Sequence, residues 1–400
     1  MKKTISTIFG LAALSLVTLT TSCSSDDNNN NNNEGPKSDF VVVRENLQGE
    51  INSGEVVLES GTYKLTGKLV VKNTAKLTIK PGVIIEATAL AENQFQAVRY
   101  IAVAQGGKID VQGTASNPVI MTAETKIPGS WGGLVLCGKA TINKGETASA
   151  EVSELTYGGK DDNDNSGSIK YLRIEYPGYT YSSEKEFNGI SFFGVGKGTV
   201  VDYVQVYESS DDGFEWFGGT VNASHLVVSN KDTQKVGDDL FDWTEGWNGT
   251  GDNFYGIRTN AGNRGIEADN NSNNHLASPI SFPTIKNLTL IGAGVDDTSK
   301  EAQAFKLRVG TKGKFDNVVL KGWKTGFDVE HNETLSYVGT DLLATNVKFE
   351  DVTVKSKGTA TTAAGTVPDM TKVYTESDTA KGAGNGSGVP TWASGWTKGL

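Results

Sequence analysis

Short runs of β-branched and aliphatic residues recur at a steady interval along most of this chain. One set comprises residues 69–71, 77–79 and 83–85, and a second set follows at residues 101–103, 109–111 and 119–121. Gly, Asn or Pro separates the runs, and such residues favour turns. Three short strands per repeat, stacked repeat on repeat, are typical of a parallel β-helix.

The second half of the chain carries a longer strand pattern that returns many times. Its copies lie at residues 169–174, 201–206, 223–228, 285–290, 315–320 and 344–349. Alternation within each copy gives the strand one core face. An antiparallel sandwich is the main alternative, but the hairpin signals that it needs are mostly missing. We therefore predict an all-β protein whose residues 40–400 form one parallel β-helix domain, ending in a loose segment at about residues 360–400.

The N-terminus has the pattern of an export signal. Two lysines precede an apolar stretch of about a dozen residues, which is too short to span a bilayer permanently. Small residues then lead to Cys23, so we predict a lipoprotein signal peptide at residues 1–22 and lipidation of Cys23, including a palmitate chain. Ordinary cleavage that leaves a free thiol is the alternative. Residues 23–39 are rich in Ser, Asp and Asn and predict a disordered tether.

Cysteine usage and net charge narrow the remaining possibilities. If Cys23 is lipidated, Cys137 has no partner for a disulfide. Cys137 lies in an apolar run, which favours a buried, unreactive thiol. The formal net charge of −10 argues against binding to nucleic acid, which requires a basic face. The membrane is instead expected as a partner through the lipid anchor.

Several segments resemble a family of exported β-helix lipoproteins from Bacteroidota and marine proteobacteria. The segments are residues 77–85, 129–136, 188–192 and 211–221, and the similarity spans about residues 65–330. The resemblance implies a right-handed parallel β-helix and an exported location, and it implies no particular reaction. The Ser/Asp run after Cys23 also resembles the surface-export signal of Bacteroidota lipoproteins, which implies the outer face of the outer membrane.

One repeated motif carries a series of charged residues. The sequence at residues 211–216 returns at residues 238–243, and its centre returns at 265–268, 304–307 and 326–329, with an earlier copy at 189–192. Because side chains alternate along a strand, one apolar residue of each copy should point inward. These are Phe214, Phe241, Ile266, Phe305 and Phe327. The residues that follow should point outward, as a vertical ladder of Ser191, Glu215, Asp242, Glu267, Lys306 and Asp328.

The ladder places three acidic residues in succession. Neighbouring strands lie about 4.8 Å apart, and two carboxylates at that distance repel by roughly 3–4 kcal/mol at an effective dielectric constant of 20. A Ca²⁺ ion, a shared proton, or Lys306 and nearby donors could relieve this repulsion, and a solvated ladder without ligand is equally open. Ca²⁺ prefers six to eight oxygen ligands. The expected ligands are Asp211, Asp212, Glu215, Asp238, Asp239, Asp242, Glu267 and Asp269.

Aromatic residues near the ladder suggest a surface for sugars. Tyr176, Tyr179 and Tyr181 share a Gly/Pro loop, and Trp247 follows Asp242. Exposed rings beside polar groups stack on sugar faces, although the same rings could pack over the flank of the helix.

These patterns favour a non-catalytic surface protein that binds an extracellular polysaccharide through Ca²⁺. The alternative is a polysaccharide lyase or glycoside hydrolase in which Glu215, Asp242 and Glu267 act, since acids one strand apart approach the separation of about 5–5.5 Å in retaining glycosidases. A lyase would also need a basic residue, for which Arg258, Arg264 and Arg308 are available. A structural spacer or adhesin is the third possibility.

Overall fold

The computed structural model describes residues 38–90, 98–182, 185–231, 237–259, 263–362 and 365–400. Its main sheet contains 22 strands, and all strand pairs within this sheet are parallel. Neighbouring strands of each face come from successive turns of the chain, so the predicted right-handed parallel β-helix is confirmed. The signal peptide, Cys23 and most of the tether lie outside the described residues. Within the described part of the chain, no helix is long and apolar enough to cross a membrane.

The strands of the N-terminal half are short. They are β1 (Leu47–Ile51), β2 (Gly54–Leu58), β3 (Gly61–Val71), β4 (Ala75–Ile79), β5 (Val83–Ala87), β6 (Ile101–Val103), β7 (Lys108–Gln112), β8 (Val119–Ala123), β9 (Leu134–Cys137), β10 (Ala148–Ser149), β11 (Thr156–Tyr157), β12 (Gly167–Glu175), β13 (Thr180–Ser182) and β14 (Lys185–Glu186). Of these, β10 with β11 and β13 with β14 form small antiparallel pairs outside the main sheet.

The remaining elements complete the coils and the C-terminus. They are β15 (Ile190–Phe193), β16 (Val200–Tyr207), β17 (Phe214–Phe217), β18 (Asn222–Asn230), β19 (Phe241–Thr244), β20 (Thr250–Arg258), β21 (Ile266–Ala268), β22 (Thr284–Ile291), β23 (Gln303–Leu307), β24 (Gly313–Glu330), α1 (Asn332–Leu335), β25 (Leu342–Thr359) and β26 (Tyr374–Glu376). Short 3₁₀ turns lie at Met370–Val373 and Thr391–Ala393.

Each coil has three faces. The strands β12, β16, β18, β20 and β22 each cover two faces, since one residue at mid-strand bends the chain. That residue has a left-handed backbone, as in Tyr171 (φ 49°), His225 (φ 51°) and Asn287 (φ 55°). Asn tolerates this conformation better than most residues. The amides also bond from coil to coil, and Asn317 Nδ2 donates to Asn287 Oδ1 at 2.7 Å. The bend therefore repeats at the same corner.

The third face is formed by β6, β9, β15, β17, β19, β21 and β23 in succession. Its inward residues build an aromatic stack in the core. Trp216 stacks on Phe192 and on Trp247, with ring centroids 5.6 and 4.5 Å apart. Trp247 is 0% exposed, so the expectation that it presents a ring to solvent is wrong. Its apolar surface fills the coil interior instead.

The C-terminal segment packs along the outside of the helix. Trp396 is fully buried beside Tyr171 and Tyr203, and Trp392 meets the ring of His225 edge-on at 5.0 Å. Lys398 Nζ lies 3.0 Å from a carboxylate oxygen of Glu175. The segment after β25 is therefore held by aromatic and ionic contacts, and Trp392 and Trp396, which end the segment predicted to be loose, are the residues that dock it on the helix.

Candidate functional site

The acidic residues of the repeated motif lie in vertical register on the outer side of the third face. Glu215 pairs in register with Asp242, and Asp242 with Glu267. Their strand neighbours, such as Phe214 and Trp216, point into the core. The predicted ladder is therefore confirmed as geometry. It continues through Lys306 and Asp328, as expected.

The lower part of the ladder is neutralised by basic residues. Glu267 forms ion pairs with Arg264 and Arg308, and it is only 5% exposed. Arg308 also donates to Asp269 at 2.8 and 3.3 Å. Glu267 and Asp269 therefore already have cationic partners within the protein. The expectation of an open, solvated strip is wrong at this level, because Arg264 from the preceding turn and Arg308 from the next coil cover it.

The ladder residues of the next two coils, Lys306 and Asp328, also form ion pairs. Lys306 Nζ lies 3.1 Å from Asp328 and 2.6 Å from Glu330, and Lys357 approaches Asp328 from the next coil at 3.0 Å. The ladder thus satisfies its own charges from Glu267 onward.

The upper part of the ladder lacks such basic partners. Glu215 and Asp242 are half-buried, and Glu215 Oε2 accepts a hydrogen bond from Asn188 Nδ2 at 2.5 Å. Further along the same face, an apolar layer covers the strands, with Val135 and Phe193 packed under residues of the segment 142–157. Glu215 and Asp242 therefore lie beside the edge of a hydrophobic cover.

Four aspartates complete the site from the turns that precede β17 and β19. Asp212 Oδ1 accepts the backbone N–H of Asp239 at 2.8 Å, and Asp239 Oδ1 accepts the backbone N–H of Arg264 at 2.7 Å. Each of these side chains thus accepts a hydrogen bond from the backbone of the next coil. Asp211 and Asp238 precede them in the same turns.

The carboxylate oxygens of this region approach one another closely. Ligand atoms of Asp211, Asp212 and Asp238 lie within 4.8 Å of one another, and so do those of Asp212, Asp239 and Asp242. Asp212 belongs to both groups. We refer to these five aspartates together with Glu215 as the acid pocket.

Burial raises the pKa of the acid-pocket carboxyls, and their mutual repulsion adds to the effect. The pKa values of Asp212, Glu215 and Asp242 lie well above their usual range for these two reasons. Burial and the adjacent Asp239 raise the pKa of Asp238 to about 7, against a smaller lowering by Arg264. The pocket thus carries more carboxyl groups than its neighbouring cations balance, and protons or a bound cation would relieve it.

Two buried oxygen atoms at the pocket lack any donor among the described residues. They are Oδ1 of Asp238 and Oδ1 of Asn188. The Asn188 amide holds Glu215 through its nitrogen, which leaves its oxygen free to bind another group. Carboxylate and amide oxygens in an irregular arrangement are the ligands that Ca²⁺ prefers. The residues of the acid pocket therefore fit a hard cation.

Asn188 and the arginine partners were missed by sequence reasoning. Asn188 occupies the place in its motif copy that Asp212 and Asp239 occupy in theirs, since all three lie two residues before the inward residue. Aligning the copies by that residue would have found it. The pairing of Arg308 with Glu267 had no comparable signal, because the two side chains come from different coils, whereas Arg264 lies only three residues before Glu267.

The expected aromatic residues divide into two pairs. The loop that carries Tyr179 and Tyr181 packs on the acid pocket, since Ser210 Oγ donates to the Gly178 carbonyl at 2.6 Å. Tyr181 is 46% exposed. Tyr176 is buried against Lys398, and Trp247 belongs to the core, so neither offers a free ring face.

The three arginines that a lyase could use are not free to act as bases. Arg264 and Arg308 are committed to ion pairs, and Arg258 is 1% exposed. Arg308 is partly exposed, but its guanidinium is held by Glu267 and Asp269, so none of the three is available as a free base.

This architecture defines a class of protein, the right-handed parallel β-helix, here with an acidic pocket on one outer face. The chain belongs to the family described as the pectate-lyase-like β-helix domain, whose pattern matches residues 49–397. None of the curated proteins matches the chain.

Proposed function

We propose that this protein is an exported lipoprotein that binds an extracellular acidic polysaccharide through Ca²⁺ held in the acid pocket. The observation that supports this most directly is the set of closely spaced carboxylates, centred on Asp212, for which the described residues offer too few cations. A divalent cation would balance two of these charges and still accept oxygen ligands from outside.

The polysaccharide would share the cation with the protein. An acidic groove alone repels a polyuronate, but a bound cation reverses the local charge and attracts the carboxylates of the sugar. Tyr181, exposed on the neighbouring loop, and the half-buried Tyr179 would supply ring faces for the sugar. The pectate-lyase-like family is consistent with a role in carbohydrate binding.

The proposed location follows from the N-terminal sequence. Cys23 would carry the lipid, residues 23–39 would act as tether, and the β-helix would stand on the outer face of the outer membrane. Metabolic labelling with a palmitate analogue, lost in a Cys23→Ser variant, tests the anchor separately from the binding function.

Calorimetric titration of the purified chain with Ca²⁺ tests the cation site. We expect saturable binding that Asp212→Asn weakens at least tenfold, since Asp212 contributes to both carboxylate groups. Asp378→Asn is the matched control, because Asp378 is an exposed acid outside the pocket. Equal Ca²⁺ affinity in the wild type and the Asp212→Asn variant would rule out the pocket as the site.

Polygalacturonate tests the polysaccharide. We expect it to bind in the presence of Ca²⁺, and not in EDTA or after Asp212→Asn, whereas a neutral glucan should not bind in any condition. If Ca²⁺ binds but polygalacturonate does not, the proposed metal site is supported and the proposed polysaccharide ligand is refuted.

Cleavage of the same polysaccharide is a second candidate function. It is favoured by Asp238, whose pKa of about 7 suits a general acid at neutral pH. A lyase would release unsaturated products and a hydrolase would release new reducing ends. If neither product accumulates while polygalacturonate binds, the non-catalytic function is the one that stands. If polygalacturonate does not bind either, the spacer or adhesin function gains support.

A further inference from the structure

A second buried polar site lies at the ends of two neighbouring strands. Asn230 ends β18 and Arg258 ends β20, and the two residues pair in register. Each residue lies two positions after an inward-facing residue of its strand, Val228 in β18 and Gly256 in β20. Because side chains alternate along a strand, Asn230 and Arg258 lie on the same inward face. Each is 1% exposed. Two buried polar residues thus lie on adjacent strands at one corner of the coil.

The guanidinium of Arg258 makes no hydrogen bond with the described residues. Its Nε and both terminal nitrogens are buried and without partner. Burial lowers the pKa of Arg258 to about 10, against the opposing influence of Asp239, Asp297 and Asp238, so the group still carries its charge at neutral pH. Leaving such a donor unsatisfied in the interior is costly.

The amide of Asn230 adds a further unsatisfied donor. Its Oδ1 accepts the backbone N–H of Ser209 at 3.1 Å, which fixes the orientation of the amide. The atom without a partner is therefore Nδ2, an N–H donor. A Cβ on Gly237 would lie 2.7 Å from this nitrogen, so the glycine leaves space beside it.

We propose that Arg258 and Asn230 hold a small monovalent anion, chloride in particular, in the interior of the β-helix. The unpartnered atoms of both side chains are N–H donors, and an anion can accept several N–H groups at once. The burial of both residues limits the occupant to a small ion. This site borders the acid pocket, since Asp239 and Asp238 act on Arg258, but the proposal does not depend on the proposed function.

Bromide is the probe for the site itself. A crystal of the full chain grown with sodium bromide and EDTA should show an anomalous peak within hydrogen-bond distance of the Arg258 guanidinium and Asn230 Nδ2. Absence of a peak, or a water molecule in its place, would overturn the proposal.

Chloride-dependent stability tests the same site in solution. Replacing sodium gluconate by sodium chloride at constant ionic strength should raise Tm by about 2 °C, since a ligand that binds only the folded state stabilises it. Asn230→Asp keeps the oxygen that accepts the Ser209 N–H and places a carboxylate beside Arg258. This variant carries its own anion, so its Tm should no longer respond to chloride.

Arg258→Met separates loss of the site from a general salt effect. It removes the donors at similar length, and its Tm should also be independent of the anion. The proposal fails if wild type, Asn230→Asp and Arg258→Met respond to chloride alike, and it fails equally if the wild type does not respond.

Discussion

The raised pKa of Asp238 predicts that the cation-free protein loses stability as pH rises. In the unfolded chain this carboxyl has an ordinary pKa of 3.8, and in the folded protein burial and Asp239 raise the pKa to about 7. Folding therefore takes up a proton between these values. The stabilisation from Asp238 is complete below the unfolded pKa and is lost as pH rises through about 7.

The size of the effect follows from these two pKa values. Between pH 5 and pH 8 the folded state gives up the proton that the unfolded state has already lost, which costs about 3 kcal/mol for Asp238 alone. Asp212 and Asp242, whose pKa values are also raised by burial and repulsion, act in the same direction. Bound Ca²⁺ would remove most of this loss, because it replaces the protons.

Urea unfolding at pH 5 and pH 8, in EDTA, measures the loss. The Asp238→Asn variant has no titrating group at this position. Between pH 5 and pH 8, its free energy of unfolding should therefore decrease by about 3 kcal/mol less than that of the wild type. Asp378→Asn, in an exposed acid, should follow the wild type. Parallel pH profiles for the wild type and Asp238→Asn would refute the reasoning about burial and repulsion. Added Ca²⁺ should stabilise the wild type more at pH 8 than at pH 5.

Three further predictions follow from the packing. Trp247→Ala should lower the free energy of unfolding by about 3–5 kcal/mol through a cavity in the aromatic core, while the Ca²⁺ affinity measured by calorimetry stays unchanged. Arg308→Met should cost about 3 kcal/mol, because Glu267 and Asp269 lose a cationic partner, and urea unfolding should show a smaller cost at acidic pH. The Cys137 thiol, whose pKa burial raises to about 12, should not react with a thiol reagent at pH 8 in a Cys23→Ser chain until urea is added.

The fold could be predicted from the sequence because the β-helix repeats one local rule. Each copy of the motif places an apolar residue inward and the next residue outward, so Phe214, Phe241 and Ile266 stack as expected, and Glu215 follows Phe214 onto the outer face. Alternation and coil spacing are properties of neighbouring residues, which a sequence displays directly. The inward stack and the vertical register therefore needed no tertiary information.

Burial on the outer face could not be predicted in the same way. Trp247 lies after a strand, where alternation no longer specifies a direction, and the structure turns it into the core. Glu267 obeys the alternation but is covered by Arg264 from the turn before its own strand and by Arg308 from the next coil. The outward direction of a side chain follows from its own strand, whereas its exposure depends on loops elsewhere in the chain.

The charge pattern of the ladder separates structural acids from candidate ligands. On a parallel β-helix the outward position is free to change from coil to coil, since the core depends only on the inward residues. Where acids succeed one another, folding requires compensation, and from Glu267 onward arginines and lysines of this chain supply it. Among the described residues of the ladder, Glu215 and Asp242 have no such partner, and the aspartates beside them add to the excess. The compensation missing there must come from protons or from a ligand, which is why the acid pocket, and not the ladder as a whole, is the proposed site.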